Sequence, residues 1–406
     1  MNGALNGGRE SRALLRCAPA FRLALSRMPQ PGSTYLQVRE VLLPIAAMLL
    51  VSRAVLLLVG VLTATQLAPA AAAIDHDLLS YLCRFDCGWY LSVVQHGYST
   101  LENADQPGAT NLGFYPVFPL LVRMLSSLFG TDPFHTAIVV SNLCFYAALI
   151  YVYRYARLLG VDHSAALLCT GLICVLPQSI AFSAAYSEST FLLLLAGAMY
   201  HLRRENYLVA GIAAALLSAT RANGIFFLVF AVAWLIRSVG LRGLLTPWRA
   251  PEKIVAIVLA PMGLFAFWGY CFATTGDAFA GPSSMYHGWG WYFSPPWEAL
   301  TAMLRSNDVA FFFGLASLGL LACSLLLLRQ GWYEEFAFCA ALIVLTMSGA
   351  VIGSLFRYGL VLFPLWIALA RALAPRPVLS ALTFSTLALL NAMMMSAWTL
   401  QNLIAI

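Results

Sequence analysis

Charged side chains are scarce in this sequence, and lysine is almost missing from it. Asp, Glu, Lys and Arg make up 10% of the 406 residues, and Lys253 is the only lysine among 23 basic residues. Soluble globular domains carry roughly 25% charged residues. A chain with 61% hydrophobic residues lacks the polar groups to cover a water-soluble globule of this length, so it needs lipid as its solvent.

Motifs for metals, nucleotides and nucleic acids are missing as well. The six histidines are scattered without an HExxH or Cys–His cluster, so we expect no metal site. No Walker motif and no GxGxxG after a strand is present, which argues against nucleotide binding, and we expect no cofactor. The net charge of +6 comes from arginines in short loops. That distribution is a topology signal, not a nucleic-acid-binding stripe.

Apolar runs near membrane-spanning length recur from Val41 to the C-terminus. They are continuous, without the alternation of a β-barrel. We therefore predict an all-α polytopic transmembrane bundle of about 10–11 spans, each close to the 20 residues that cross a bilayer, in one domain over residues 41–406. The spans are drawn at 41–62, 136–154, 164–182, 188–202, 207–221, 224–238, 254–274, 309–328, 335–353, 356–371 and 378–400. Several are short, as half-helices or tilted helices would be.

The first forty residues contain several arginines and little hydrophobic pattern. A cleavable signal peptide would place its apolar core closer to the start. We predict that residues 1–40 form a basic, disordered cytoplasmic tail, with attraction to lipid headgroups as a weaker alternative role.

Arginines are distributed unevenly between alternate loops. With the N-terminus in the cytoplasm, the inner loops hold most arginines outside the spans, including Arg203, Arg204 and Arg237. The outer loops hold only Arg84 and Arg305, apart from arginines inside spans or at their ends. This bias follows the positive-inside rule and predicts a cytoplasmic N-terminus.

Two predicted outer loops, 63–135 and 275–308, are long, and loops longer than about 12–15 residues are usually functional or disordered. The first contains Asp86 between the aromatic residues Phe85 and Trp89. A carboxylate that is partly desolvated near a membrane surface is a candidate general base. A helix cap beside an aromatic belt explains the same residues equally well.

Three more charged residues lie at span ends on the predicted outer side: Glu188, Arg221 and Arg357. Carboxylates inside membranes are rare and usually face a cavity, although Glu188 also suits the positive end of its helix. An outer arginine opposes the charge bias, and its guanidinium can bind a lipid phosphate. A structural pair of Arg221 with Glu188 is the alternative.

Most of the nine cysteines lie within spans, where we expect them to be apolar fillers. Cys83 and Cys87 instead share the first outer loop, and one helical turn would bring them within disulfide distance. The sequence leaves open whether they are bonded, because reduced pairs are common.

Several segments, taken in order, resemble the motifs of the PIG-V family of mannosyltransferases, within the GT-C superfamily of polytopic glycosyltransferases. The resemblance spans most of the chain. Its segments are Phe85-Asp86-Cys87-Gly88-Trp89-Tyr90 through His96-Gly97-Tyr98, Phe114-Tyr115-Pro116-Val117-Phe118-Pro119-Leu120, Ala185-Tyr186-Ser187-Glu188-Ser189, Ala219-Thr220-Arg221-Ala222-Asn223-Gly224, and Arg357-Tyr358 leading to Phe363-Pro364-Leu365.

The resemblance implies a GT-C-like bundle that moves a sugar, most readily mannose, from a polyprenyl- or dolichyl-phosphate donor. The acceptor would be the hydroxyl of a glycolipid or glycan outside the cytoplasm. Asp86 takes the role of general base. Binding of the donor phosphate and substrates falls on Arg221, Arg357, Glu188, His96, Tyr98, Tyr115 and Asn223.

The Arg- and Ala-rich composition is typical of a GC-rich bacterial genome, so we expect an inner-membrane protein whose active face is non-cytoplasmic. A transferase for another lipid-linked sugar and a lipid or sugar transporter or flippase are the alternatives. Transporters often show internal repeats and charges near the midplane. No repeat is evident here, and the charges collect on one side. A purely structural scaffold would not need outer arginines beside acidic residues.

Overall fold

A computed structural model describes residues 38–67, 77–104, 106–244, 251–348 and 355–402. Regular structure in these residues is helical, apart from isolated β-bridge residues such as Asn103 and Gln106, which pair with each other. The predicted all-α class is therefore confirmed. Residues 1–37 of the predicted tail and the end of the predicted span 335–353 lie outside the described residues.

The helices are numbered here in chain order. They are α1 (Leu43–Leu67), α2 (Cys87–His96), α3 (Val117–Phe129), α4 (Pro133–Leu158), α5 (His163–Val175), α6 (Glu188–Arg203), α7 (Tyr207–Ser218), α8 (Phe227–Leu244), α9 (Val255–Leu259), α10 (Met262–Thr275), α11 (Ala280–Trp289), α12 (Pro296–Arg305), α13 (Val309–Arg329), α14 (Tyr333–Met347), α15 (Leu355–Leu360), α16 (Phe363–Leu373) and α17 (Pro377–Thr399). Every predicted span coincides with one or two of these helices.

Six helical stretches in the described residues are long and apolar enough to cross a membrane. They are Val38–Leu67, Pro133–Leu158, Ala222–Gly240, Pro251–Thr275, Ala310–Arg329 and Pro377–Thr399. The chain is thus a multi-pass integral membrane protein. The other predicted spans correspond to shorter helices, which lie among the long ones.

Contacts divide the chain into two compact units, Met1–Pro44 and Ile45–Ile406. In the first unit, the described residues comprise a π-helical turn, Val38–Leu42, and the first two residues of α1. The second unit contains the remaining helices and the residues discussed below.

Prolines explain why two predicted spans are shorter or broken. Within the predicted span 164–182, the helix ends at Val175. The next residue, Leu176, precedes Pro177, and a residue before a proline disfavours the α conformation. The chain then turns through Gln178, which has a left-handed φ of 64°. The span 356–371 breaks after Leu360, and α16 restarts with Pro364 in its first turn, where proline is tolerated.

Helix α6 is largely buried. It packs against α4 and α7, and most of its residues from Glu188 to Leu202 are buried. Its first residue is therefore held in a fixed place among the neighbouring helices.

Charged residues at opposite ends of α6 belong to two different clusters. At its last turn, Arg203 lies 2.6 Å from Glu335 and 3.5 Å from Glu334, and Arg237 lies 3.0 Å from Glu334. These carboxylates are buried and are tolerated there because they are paired. All of these residues fall on the predicted inner side, so the contacts agree with the alternation of the predicted spans.

Candidate active site

Asp86 lies directly before α2. Its loop is held by one disulfide bond and by hydrogen bonds to the Tyr186 hydroxyl. Cys83 and Cys87 form a disulfide with Cα atoms 5.2 Å apart, so the structure contains the bonded form of this pair. The Tyr186 hydroxyl accepts a hydrogen bond from the Asp86 backbone N–H at 2.9 Å and donates one to the Arg84 carbonyl at 2.9 Å. The loop that carries Asp86 is thus fastened to the segment before α6.

The Asp86 side chain does not cap α2. Asp86 occupies the N-cap position but makes no side-chain capping hydrogen bond. Its carboxylate instead accepts a hydrogen bond from Arg357 Nη1 at 2.7 Å. The capping interpretation of this residue is therefore wrong for its side chain.

Glu188 is the first residue of α6, and only 1% of its side chain is exposed. Arg221 Nη1 lies 2.5 Å from its Oε1 atom, and Arg357 Nη1 lies 3.6 Å from the same atom. The structural pair of Arg221 with Glu188 is thus present. It belongs to a chain of contacts that also contains Asp86.

Two short irregular segments present the arginines. Arg221 follows α7 with an extended backbone and precedes a 3₁₀ turn, Ala222–Phe226. Gly224 in this turn approaches α7 closely, since a Cβ atom there would lie 2.4 Å from the Leu217 carbonyl oxygen. Arg357 lies in the short helix α15, between the described end of α14 and the break before α16.

Aromatic rings complete the surroundings of both guanidinium groups. Arg357 lies over the Tyr186 ring and Arg221 over the Tyr358 ring, each 5.3 Å from the centroid. Such cation–π contacts add to the stability of a desolvated cation. Burial raises the pKa of Tyr186 and of Tyr90, so both phenols remain neutral at physiological pH. The Tyr90 hydroxyl lies 2.7 Å from that of Ser187.

A small cavity adjoins the arginines. Its polar lining consists of Glu188, Arg221, Asn223, Arg357 and Tyr358, and its apolar lining of Phe191, Leu342 and Val361. Asp86 is not among the lining residues, so Arg357 lies between its carboxylate and the cavity. The cavity has room for about one water molecule, so a phosphate can bind the two guanidinium groups and the Asn223 amide only if these side chains move apart.

Three other predicted binding residues lie outside this cluster. Tyr98 donates a hydrogen bond to the Phe114 carbonyl at 2.7 Å, and its ring packs on Phe267. Tyr115 also packs on Phe267, and burial raises the pKa of Tyr115 to about 12. His96 is an exposed residue at the end of α2. The described contacts of Tyr98 and Tyr115 connect their segments to α10, and no described contact joins the three residues to the charged cluster.

Sequence reasoning missed a buried arginine in the first span. Arg53 donates hydrogen bonds to the carbonyl oxygens of Cys174 and Ser179, both at 2.6 Å, and to the hydroxyl of Ser179 at 2.9 Å. These groups lie at and just after the end of α5, which precedes Glu188 in the chain. An arginine in the middle of an apolar run is a signal that was available, since ionisable residues within spans are rare and have specific partners.

Within the described residues, no group of three or more His, Cys, Asp or Glu side chains is arranged to hold a metal ion. The charged groups of the site are one accessible carboxylate, one enclosed carboxylate and two guanidinium groups beside a cavity.

A protein-family model described as Mannosyltransferase (PIG-V) matches residues 52–262, about half of the chain. The matched range contains Asp86, Glu188 and Arg221. Arg357 lies beyond it.

Two curated relatives carry the name GPI alpha-1,6-mannosyltransferase 2. The protein from Mus musculus is 29% identical over 233 residues, which are 52% of this chain and 46% of that protein. The protein from Rattus norvegicus is 27% identical over 245 residues, 54% of this chain and 47% of that protein. The chain thus spans about half the length of the curated relatives that it matches.

Among solved structures, the oligosaccharyltransferase of Archaeoglobus fulgidus in its apo form is 13% identical, with a TM-score of 0.45, covering 87% of this chain and 55% of that one. The oligosaccharyltransferase AglB of the same organism, in complex with an inhibitory peptide and a dolichol-phosphate, is 12% identical, with a TM-score of 0.45, and the match covers 85% of this chain and 56% of that one.

Proposed function

The chain belongs to the PIG-V mannosyltransferase family, and from this premise we propose that it transfers mannose from a polyprenyl- or dolichyl-phosphate donor to an acceptor hydroxyl on the non-cytoplasmic side of the membrane. The observation that carries the proposal is the 2.7 Å contact between Asp86 and Arg357 beside the Glu188–Arg221 pair. A carboxylate that can accept a proton stands next to two groups that can bind phosphate.

Asp86 is the general base in this proposal. It accepts the proton of the acceptor hydroxyl while the hydroxyl oxygen attacks the anomeric carbon of the sugar, and the bond from that carbon to the donor phosphate breaks. About a fifth of the Asp86 side chain is exposed (19%), against 1% for Glu188. An acceptor can therefore reach Asp86, whereas Glu188 is enclosed. A direct displacement of this kind inverts the configuration at the anomeric carbon.

Arg221 and Arg357 stabilise the leaving group. A polyprenyl phosphate is an acidic leaving group, so it needs charge stabilisation more than protonation. Both guanidinium groups line the cavity with Asn223, and a guanidinium can bind two phosphate oxygens at once. Glu188 contacts both arginines and holds them beside the same cavity.

Charge and redox chemistry support the orientation in this proposal. The arginine bias favours a cytoplasmic N-terminus, and the Cys83–Cys87 disulfide fits an oxidising compartment on the side of Asp86. We place the protein in a bacterial inner membrane with a glycolipid or glycan as acceptor. Because the proposed donor carries its sugar on a lipid phosphate, the reaction needs no nucleotide on that face of the membrane.

The test is a donor and acceptor screen with the purified protein in lipid nanodiscs. We expect a covalent mannosylated product from polyprenyl-phosphate mannose and none from a nucleotide-activated mannose. Matched polyprenyl-phosphate glucose and pentose donors separate mannose transfer from transfer of another sugar. Glu102→Gln, a charge change in the exposed part of the first outer loop, serves as the control variant.

Transport is the outcome that would replace this proposal. A labelled lipid phosphate that moves between leaflets, without a covalent product from any donor, would identify a flippase. The location of Asp86, Glu188, Arg221 and Arg357 at or beside helix ends on one predicted side favours transfer over two-sided access.

A further inference from the structure

Arg357 has two competing uses within the candidate site. Its Nη1 atom bonds Asp86 at 2.7 Å, and its side chain also lines the cavity, which Asp86 does not. A guanidinium held against a carboxylate favours the ionised over the protonated carboxyl. The contact seen here therefore opposes the proton transfer that a general base performs.

Of the two carboxylates near Arg357, Asp86 is the one that can lose its contact with the guanidinium, because the two differ in exposure. Glu188 is 1% exposed and keeps Arg221 at 2.5 Å, whereas Arg357 is 3.6 Å from Glu188. A carboxylate without solvent needs a cation beside it. Asp86 is 19% exposed, so water can solvate Asp86 after Arg357 leaves it.

The charge balance of the cluster also indicates that Arg357 is the cation that changes partner. Two carboxylates face two guanidinium groups, so the formal charges of the four side chains cancel. A phosphate that binds at this cavity adds negative charge next to Glu188, and among the described residues that line the cavity only Arg221 and Arg357 are cationic. Arg221 is already bonded to Glu188, so Arg357 is the cation whose partner can change.

We propose that the phosphate of the donor takes Arg357 away from Asp86, and that this exchange releases Asp86 to act as the base. The inference rests on the proposed function and adds to it an order of events. Asp86 becomes competent only after the donor phosphate is in place, so the donor must bind before the acceptor hydroxyl is activated. Asp86 and the phosphate then compete for the same guanidinium.

The exchange is tested by binding of a polyprenyl phosphate without a sugar to the purified protein in nanodiscs. Asp86→Asn removes the competitor, so this substitution is expected to tighten binding roughly 5-fold or more, the lower range of typical coupling between linked sites. The tightening must disappear in the Arg357→Gln background, as a double-mutant cycle measures. Asp132→Asn, which removes a charge paired with His135, is the control and should leave binding unchanged.

The outcomes separate the two proposals. Unchanged or weaker binding to Asp86→Asn, in a variant that remains folded at the assay temperature, overturns the exchange and leaves the proposed function standing. Tightening that persists in Arg357→Gln also overturns it, because the effect would then be one of overall charge. Absence of binding to the wild-type protein overturns both proposals.

Discussion

The guanidinium of Arg357 links two carboxylates from distant parts of the chain, bonding Asp86 at 2.7 Å and lying 3.6 Å from Glu188. Only 6% of the Arg357 side chain is exposed, so these charges interact with little solvent screening. Removal of one partner from such a buried cluster leaves an uncompensated charge, which is costly. The pairing therefore fixes the relative positions of the loop before α2, α6 and α15.

Arg221→Gln is expected to weaken productive donor binding. The substitution removes one of the two cationic groups that line the cavity, and a hydrogen bond to a charged group contributes about 1.5–3 kcal/mol. The KM for the lipid-phosphate donor should therefore rise roughly 10-fold to 100-fold, since about 1.4 kcal/mol corresponds to a factor of ten.

Arg221→Lys should give an intermediate KM, because lysine keeps the charge without the planar fork. Arg84→Gln is the matched control, since Arg84 donates to the carbonyls of Ser80 and Cys83 in its own loop. A donor KM that Arg221→Gln leaves unchanged would exclude Arg221 from the phosphate site.

Gly224→Ala is expected to destabilise the protein and lower its activity. The new Cβ would lie 2.4 Å from the Leu217 carbonyl oxygen, so the turn that carries Asn223 must move away from α7. Overpacking of this kind costs about 1–3 kcal/mol. Gly269→Ala is the control, because no atom lies within 4 Å of its new Cβ. Thermal unfolding in detergent measures both, and equal melting temperatures would refute the close approach.

Arg53→Met is expected to lower the melting temperature. It removes the Arg53 donor from the buried carbonyls of Cys174 and Ser179. The Cys174 carbonyl keeps a hydrogen bond from the Ser179 hydroxyl, and a buried polar group that loses its partner costs about 1–3 kcal/mol. Arg376→Met provides a comparison at an exposed arginine, which bonds the Ala372 carbonyl nearby. If both variants melt at the same temperature, Arg53 does not stabilise the segment that follows α5.

Protein purified without reductant is expected to contain the Cys83–Cys87 disulfide. Alkylation followed by mass spectrometry should find both thiols blocked until a reductant is added. A bond that closes so short a loop contributes about 2 kcal/mol in the chain-entropy account, so the Cys83→Ala/Cys87→Ala variant should melt only slightly earlier. Free thiols at both positions would contradict the bonded form and weaken the assignment of this loop to an oxidising side.

Much of the helical layout could be predicted from the sequence. Continuous apolar runs locate the helices, and the arginine bias assigns each helix end to one of the two predicted sides of the membrane. Both signals are local properties of composition. The contacts of Arg203 with Glu335, and of Arg357 with Asp86, agree with that grouping of helix ends.

The partners within the cluster could not be predicted. Asp86 had the sequence context of a helix cap, and only its tertiary contact with Arg357 shows where its carboxylate points. The same limit applies to Tyr98 and Tyr115, which pack on Phe267 of α10. Contacts between residues so far apart in the chain leave no periodic pattern. The Arg53 contacts were missed for this reason too, although the charge itself was visible.

The most direct test of the account is the rate of mannose transfer from polyprenyl-phosphate mannose by Asp86→Asn. Asparagine has nearly the same shape as aspartate but cannot accept the proton, and loss of a general base slows a reaction roughly 100-fold or more. We predict such a loss in a variant that remains folded, although it melts earlier than the wild-type protein, and that still binds the lipid phosphate, with Glu102→Gln fully active. Near-normal turnover by folded Asp86→Asn would contradict the account.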